Sequence, residues 1–124
     1  MKNKLRISET ATEQLTFLSN RLDLKRNIIC RLAVAESLTV DEPVENYSLK
    51  DRKGLEFNRP TLTGDQDLIF KTLIIQHEKK QIDDDTFFSK YFRNHIERGI
   101  DMLYKDYQKV NSPINFLMKL AELK

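Results

Sequence analysis

The stretch from Lys25 to Leu38, KRNIICRLAVAESL, carries Ile28, Ile29, Cys30, Leu32, Ala33, Val34, Ala35 and Leu38. At 3.6 residues per turn these side chains fall on nearly every side of a helix, so the helix has to be enclosed by other elements. That requirement sets the fold class. A chain of 124 residues fits one domain, and its other segments must supply most of the enclosure. With three glycines and three prolines, it has the composition of a folded, helix-rich protein.

Ahead of that helix, Lys4, Leu5, Arg6, Ile7 and Ser8 alternate polar and apolar, the period of a strand with one buried face. Leu5 and Ile7 should face the core, and Lys4, Arg6 and Ser8 should face out. Thr10 or Thr12 can cap a first helix with Leu15, Leu18 and Leu22 on one face and Phe17 alongside. Residues 40 to 60, with Pro43, Gly54 and Pro60, read as a connecting region with a short extended piece near Leu55 to Phe57.

The second half reads as helical. Thr63 and Gln66 have capping-box spacing ahead of Leu68, Ile69, Leu73, Ile74 and Ile75. Asp83 to Asp85 suit a helix start, and Phe88, Phe92, Ile96, Leu103 and Tyr107 form the stripe that follows. Ser112 and Pro113 open a last helix bearing Ile114, Leu117, Met118 and Ala121. Gly99 costs roughly 1 kcal/mol inside a helix, which a close helix crossing would explain, with the opposing face in the same chain or another. The aromatics Phe87, Phe88, Tyr91, Phe92, Tyr104 and Tyr107 fit core and subunit interface. The expected fold is mainly α: an N-terminal strand followed by two helices, in a ribbon-helix-helix-like arrangement, then a further helical region. In such an arrangement two chains pair their strands, because a lone strand leaves its backbone groups unpaired. The chain should therefore be oligomeric.

Net charge is only +2, but it is unevenly placed. Residues 1 to 31 hold seven cations against three acids, and residues 32 to 49 hold four acids and no cation. Lys50, Arg52, Lys53 and Arg59 form a second basic cluster. Concentrated positive charge attracts an anionic polymer even on a nearly neutral chain. Lys2, Lys4, Arg6, Lys25, Arg26, Arg31, Lys50, Arg52 and Lys53 are the candidate DNA contacts. Lys and Arg on a ribbon can read base edges or hold phosphates.

Catalytic readings find little support. A sulfur-carrying cysteine needs an exposed thiolate, whereas Cys30 lies in an apolar helix with Asn27 and Val34 as its neighbours, which reads as a buried structural residue. His77 and His95 stand 18 residues apart on different helices, and with Asp83 to Asp85 they have no characteristic ligand spacing. A surface His77 and a partly buried His95, with no metal, is the expectation. Glycines at 54, 64 and 99 make no phosphate loop, and neither a nucleophile elbow nor a second cysteine is present. No catalytic residue and no cofactor is called for. The start MKNKLRISETATEQ has no apolar core of a signal peptide, and no run nears the roughly 18 apolar residues of a membrane span, so a cytoplasmic protein is expected.

Four segments, LRISETATEQL, LKRNIICRLAVAESL, TLTGDQDLIF and FRNHIERGIDML, resemble the DndE family of DNA sulfur modification proteins in order and spacing. The most specific are RNIICRLA, LTGD and HIERGIDML. The resemblance covers almost the whole chain and implies one domain over 1–124, with a ribbon-helix-helix-like part at 1–39 and a helical part at 61–124. It also implies a place in bacterial DNA phosphorothioation, where sulfur replaces a non-bridging phosphate oxygen. A cysteine desulfurase, an iron–sulfur protein and an ATPase are the other members. The family view is a homotetramer that binds duplex DNA, with nicked duplex as the suggested preference. Relatives tend to have glycine in the turn where Asp23 stands, which bears on turn geometry and assembly. A strand nickase, a Cys30 sulfur carrier and a scaffold that never touches DNA are the alternative functions.

Overall fold

The computed structural model describes residues 3–122. In chain order the elements are strand β1 (Lys4–Arg6), helices α1 (Glu9–Leu22) and α2 (Arg26–Ser37), and strand β2 (Glu56–Asn58). Helix α3 (Arg59–Thr63), a 3₁₀ turn (Gly64–Gln66) and α4 (Asp67–Glu78) follow. A short α5 (Asp84–Thr86) leads through a π-helical stretch (Phe87–Phe92) into α6 (Arg93–Val110), and α7 (Pro113–Glu122) closes the chain. The fold is mainly helical, with the expected strand and two helices in front.

The front strand finds its partner within the chain. β1 pairs antiparallel with β2 in the register Lys4 with Asn58, Leu5 with Phe57 and Arg6 with Glu56. Backbone bonds from Ile7 N to Leu55 O at 3.0 Å, Gly54 N to Ile7 O at 2.9 Å and Arg59 N to Asn3 O at 2.7 Å lengthen the ladder. β1 is therefore not the unpaired strand expected from the sequence: one of its edges is satisfied within the chain. The extended piece expected near Leu55 to Phe57 is that partner.

Leu5 and Ile7 are buried and Lys4 and Arg6 exposed, as the alternation predicts, but Ser8 is buried. It caps α1 in place of Thr10 or Thr12: its Oγ accepts from Ala11 N at 3.1 Å and donates to Glu97 Oε1 at 2.9 Å. Ser8 N donates to Glu97 Oε2 at 2.7 Å. Thr12 instead donates to Ser8 O and accepts from Leu55 N, tying α1 to the ribbon. Asp23 ends α1 with φ 55° and ψ 43°. A glycine would adopt that left-handed conformation without cost, and aspartate is among the few other residues that tolerate it. Helix α1 therefore ends in a left-handed turn with aspartate at this position.

Helix α2 is enclosed as its composition demands, chiefly by α6. The two backbones meet where a Cβ on Gly99 would lie 1.8 Å from Ala33 O, so the helix crossing lies within one chain. Ile96, Ile100, Leu103 and Tyr107 of α6 are buried along it. Phe88 stacks on Phe92 at 5.6 Å between ring centroids, and Phe70 of α4 meets Phe92 edge-on at 5.5 Å.

The capping box at Thr63 and Gln66 does not form. Thr63 donates to Arg59 O as the last residue of α3, Gly64 breaks the chain with φ 55°, and α4 starts without a side-chain cap. Asp83 does open a helix, accepting from Thr86 N at 2.8 Å. Arg59 is the hinge of this region: its guanidinium bonds Asp67 at 2.8 and 2.7 Å and Asp84 at 2.9 and 2.8 Å, and lies 5.2 Å from the centroid of the Phe87 ring. That pairing holds the Asp84 carboxyl down at about 2. The aspartate run is thus a helix start joined to an internal ion-pair network. At the other end, Phe116 of α7 is buried edge-on against Tyr107.

Gly99→Ala should be among the most damaging substitutions in the chain, because the added methyl overlaps backbone rather than a movable side chain. A loss above roughly 4 kcal/mol is expected. Denaturant unfolding would measure it, and a variant within about 1 kcal/mol of wild type would show that the helices can part at low cost.

Candidate functional site

A polar cleft of about 490 Å³ opens beside the ribbon. β1 contributes Lys4, Leu5 and Arg6, the connecting segment contributes Glu45, Tyr47 and Arg52, and β2 contributes Glu56. The π-helical stretch and the start of α6 complete it with Ser89, Lys90, Arg93 and Asn94. Strand alternation explains the first group: once Leu5 is buried, its two neighbours must point out on one face. The π-helical stretch explains the last, since one wide turn shifts the phase at which side chains leave the helix, and such insertions recur at functional sites.

Five cations face two carboxylates here, and both carboxylates are already engaged. Glu56 lies 3.6 Å from Arg6, and Glu45 pairs with Lys80 and accepts from Tyr91 OH at 2.9 Å. Arg93 forms the buried wall. Its Nε has no hydrogen-bond partner in the described structure, and its only side-chain bond is a long 3.4 Å contact to Asn94. Burial and the nearby Arg52 guanidinium both lower its affinity for its proton, in that order. A buried guanidinium with an unpaired N–H is costly alone and is stabilised by an incoming anion. The arrangement suits phosphate oxygens.

The predicted DNA contacts distribute unevenly around this cleft. Lys4, Arg6 and Arg52 converge on it, while Lys90 and Arg93 belong to it without having been singled out from the sequence. Lys2 lies outside the described residues. Lys25 and Arg26 are exposed at the start of α2, line no part of the cleft, and have no side-chain cap between them. Arg31 donates to Leu62 O at 2.6 Å and Thr61 O at 3.1 Å, so its guanidinium joins α2 to α3. Lys50 lines a neighbouring hollow with Glu97, Asp101 and Lys105. Lys53 is exposed on a turn where Asp51 accepts from its backbone N at 2.8 Å.

The residues weighed for chemistry fall out differently. Cys30 is fully buried, and desolvation, followed by the charge of Glu97, pushes its thiol up to about 12. It is a core residue. The histidines do not stay apart: their rings meet edge-on at 5.1 Å, with Glu78 rather than any of the aspartates beside them. His95 is fully buried and His77 largely so, against the expectation of a surface His77.

The family model described as DNA sulphur modification protein DndE matches residues 4–111. No curated protein matches the chain by sequence. Among solved structures, a crystal structure of DndE from Escherichia coli B7A involved in DNA phosphorothioation modification is 22% identical. It superposes with a TM-score of 0.69 over 83% of this chain and 97% of that one. A glycine-to-lysine mutant of DndE involved in DNA phosphorothioation is 25% identical, with a TM-score of 0.62 over 85% and 99% of the two chains.

Cys30 should resist a thiol-specific reagent in the folded protein and react only as fast as the chain opens. Labelling kinetics followed against denaturant would check this. Rapid labelling without unfolding would return the thiol to the list of reactive groups.

Proposed function

This chain belongs to the DndE family of DNA sulphur modification proteins, and from that membership we propose that it is a non-catalytic component that grips duplex DNA for the phosphorothioation machinery. The observation that supports this reading is the convergence of Lys4, Arg6, Arg52, Lys90 and Arg93 on one cleft, with the unpaired Nε of Arg93 in its wall. Such a cleft takes hold of a phosphodiester backbone and carries little information about base sequence. Lys25 and Arg26 form a second, separate contact. Nicked duplex is the preferred form, because a break in one strand reduces the roughly 1 to 6 kcal/mol that bending an intact site can cost. No helix among the described residues is long and apolar enough to cross a membrane. The protein works in the cytoplasm beside the cysteine desulfurase, iron–sulfur protein and ATPase of the pathway.

Binding to intact, nicked and single-stranded DNA should be compared by gel shift across a salt series. Affinity should fall steeply with salt, with a logarithmic slope near −0.9 for each duplex phosphate contacted. Arg52→Glu or Lys90→Glu should lower affinity for every sequence by about tenfold or more, and Lys25→Glu with Arg26→Glu by a separate, additive step. A flat salt response would sink the proposal and favour the scaffold reading.

We also propose a homo-oligomer, a tetramer as in the family view. Leu68 and Ile69 on α4 are 74% and 58% exposed, and Ile114 and Met118 on α7 are 70% and 58% exposed. These faces, rather than the strand, are where other subunits would pack. Light scattering should return a multiple of the 14.7 kDa chain mass, and Leu68→Lys with Ile69→Lys should reduce it. A monomer at micromolar concentration would contradict this.

A further inference from the structure

His77 and Glu78 end α4, and His95 sits on the first turns of α6, where folding brings one donor atom from each within 4.8 Å of the others. His77 Nδ1 is 3.0 Å from Glu78 Oε2, and His95 Nε2 is 3.6 Å from the same oxygen. An ion held by bonds of about 2.0–2.1 Å in tetrahedral geometry keeps its ligand atoms about 3.3 Å apart, between those two spacings.

The hydrogen bonds around the cluster leave its centre short of a positive charge. His77 Nε2 lies 2.6 Å from Val40 O, a pure acceptor, so the ring proton belongs there and the Nδ1 lone pair faces a carboxylate. Glu78 Oε2 also accepts from Val44 N at 3.0 Å. Glu78 Oε1 and His95 Nε2, both buried, have no hydrogen-bond partner in the described structure. On the far side of its ring, His95 Nδ1 is 2.8 Å from Ser37 Oγ, which Arg98 Nε orients from 2.8 Å. The serine oxygen has two lone pairs and can accept from both, which frees Nε2 as a ligand. With His95 in that tautomer, each imidazole is held through its other nitrogen by an oxygen acceptor, the outer shell typical of metal-bound histidine.

We propose that His77, Glu78 and His95 form a binding site for a divalent transition-metal ion of the zinc class, with the fourth position left to water. Two imidazoles and a carboxylate suit Zn²⁺ and Co²⁺ better than Mg²⁺ or Ca²⁺, which prefer oxygen ligands. Bound there, the ion joins α4 to α6 and fixes the segment from Val40 to Val44, which leads into the cleft residues Glu45 and Tyr47. The reading is independent of DNA binding.

The test uses the full chain without a histidine tag, stripped with chelator and titrated with Zn²⁺ by calorimetry and with Co²⁺ by visible absorption. One ion per chain is expected, with the visible bands of tetrahedral cobalt and a rise in melting midpoint on the order of 10 °C at a hundredfold excess over Kd. His77→Ala, at the more open edge, should remove stoichiometric binding, and Ser37→Ala should weaken it about tenfold by loosening His95. Saturable wild-type binding that disappears in folded His77→Ala supports the site. Absence of saturable binding by folded wild type, or binding unchanged in His77→Ala, overturns it.

Discussion

The approach of α6 to α2 at Gly99 and Ala33 is the contact on which the remaining geometry depends. A side chain larger than hydrogen at position 99 would collide with the Ala33 carbonyl, so the two helices meet backbone to backbone. With α6 fixed at that depth and rotation, its first turns send successive side chains outward at about 100° intervals. Arg93 goes to the basic cleft, His95 to Ser37 and Glu78, Glu97 to Ser8, and Arg98 to Ser37 O at 2.8 Å and Glu42 O at 2.6 Å. The first two turns of α6 therefore anchor the ribbon, the connecting segment and the end of α4. Glu97 remains buried because Ser8 supplies two donors to it, although desolvation still raises its carboxyl above the usual range.

Much of this was legible in the sequence, for reasons that can be stated element by element. The all-round apolar composition of residues 28–38 required enclosure, the alternation at Lys4 to Ile7 required a strand, and the glycine within HIERGIDML required a close crossing. Those are local patterns with one dominant physical cause each. The strand's partner was not legible, because β2 lies fifty residues away and has only three residues of weak pattern. Caps were legible only in part. Ser8, Thr10 and Thr12 all have the chemistry, and the choice fell to Ser8 through Glu97, far along the chain.

The candidate site shows the same division. Charge density in the sequence marked Lys4, Arg6 and Arg52, which the fold brings to one cleft, but it could not separate exposed cations from those used inside the fold. Arg31 satisfies carbonyls of α3, and Arg59 is enclosed by two aspartates and two phenylalanines. Arg93 carries no sequence signal of its own, since it looks like any helix cation. Its place in the cleft wall comes from burial, with no carboxylate hydrogen-bonded to it among the described residues. Glu78 was equally invisible beside the histidines: its side chain joins them only because α4 ends against α6.

The connecting segment between α2 and β2 resolves an apparent conflict in the charge pattern. It lacks regular structure over a length at which loops in compact domains, beyond about 12–15 residues, usually serve a function. Its first part is acidic, with Asp41, Glu42 and Glu45 and no cation before Lys50, yet it borders a basic cleft. Its backbone is held at separate points by α4 and α6: Val44 N by Glu78, Val44 O by Asn94 at 2.9 Å, and Glu42 O by Arg98. Held there, Glu45 turns toward Lys80 and Tyr91 rather than toward Arg93. The ribbon does the same to Glu56 by pairing it with Arg6. Acidic neighbours are thus engaged locally while Lys4, Arg52, Lys90 and Arg93 remain directed into the cleft. A chain whose net charge is only +2 can then present a strongly cationic surface at one place, because the fold decides which charges cancel.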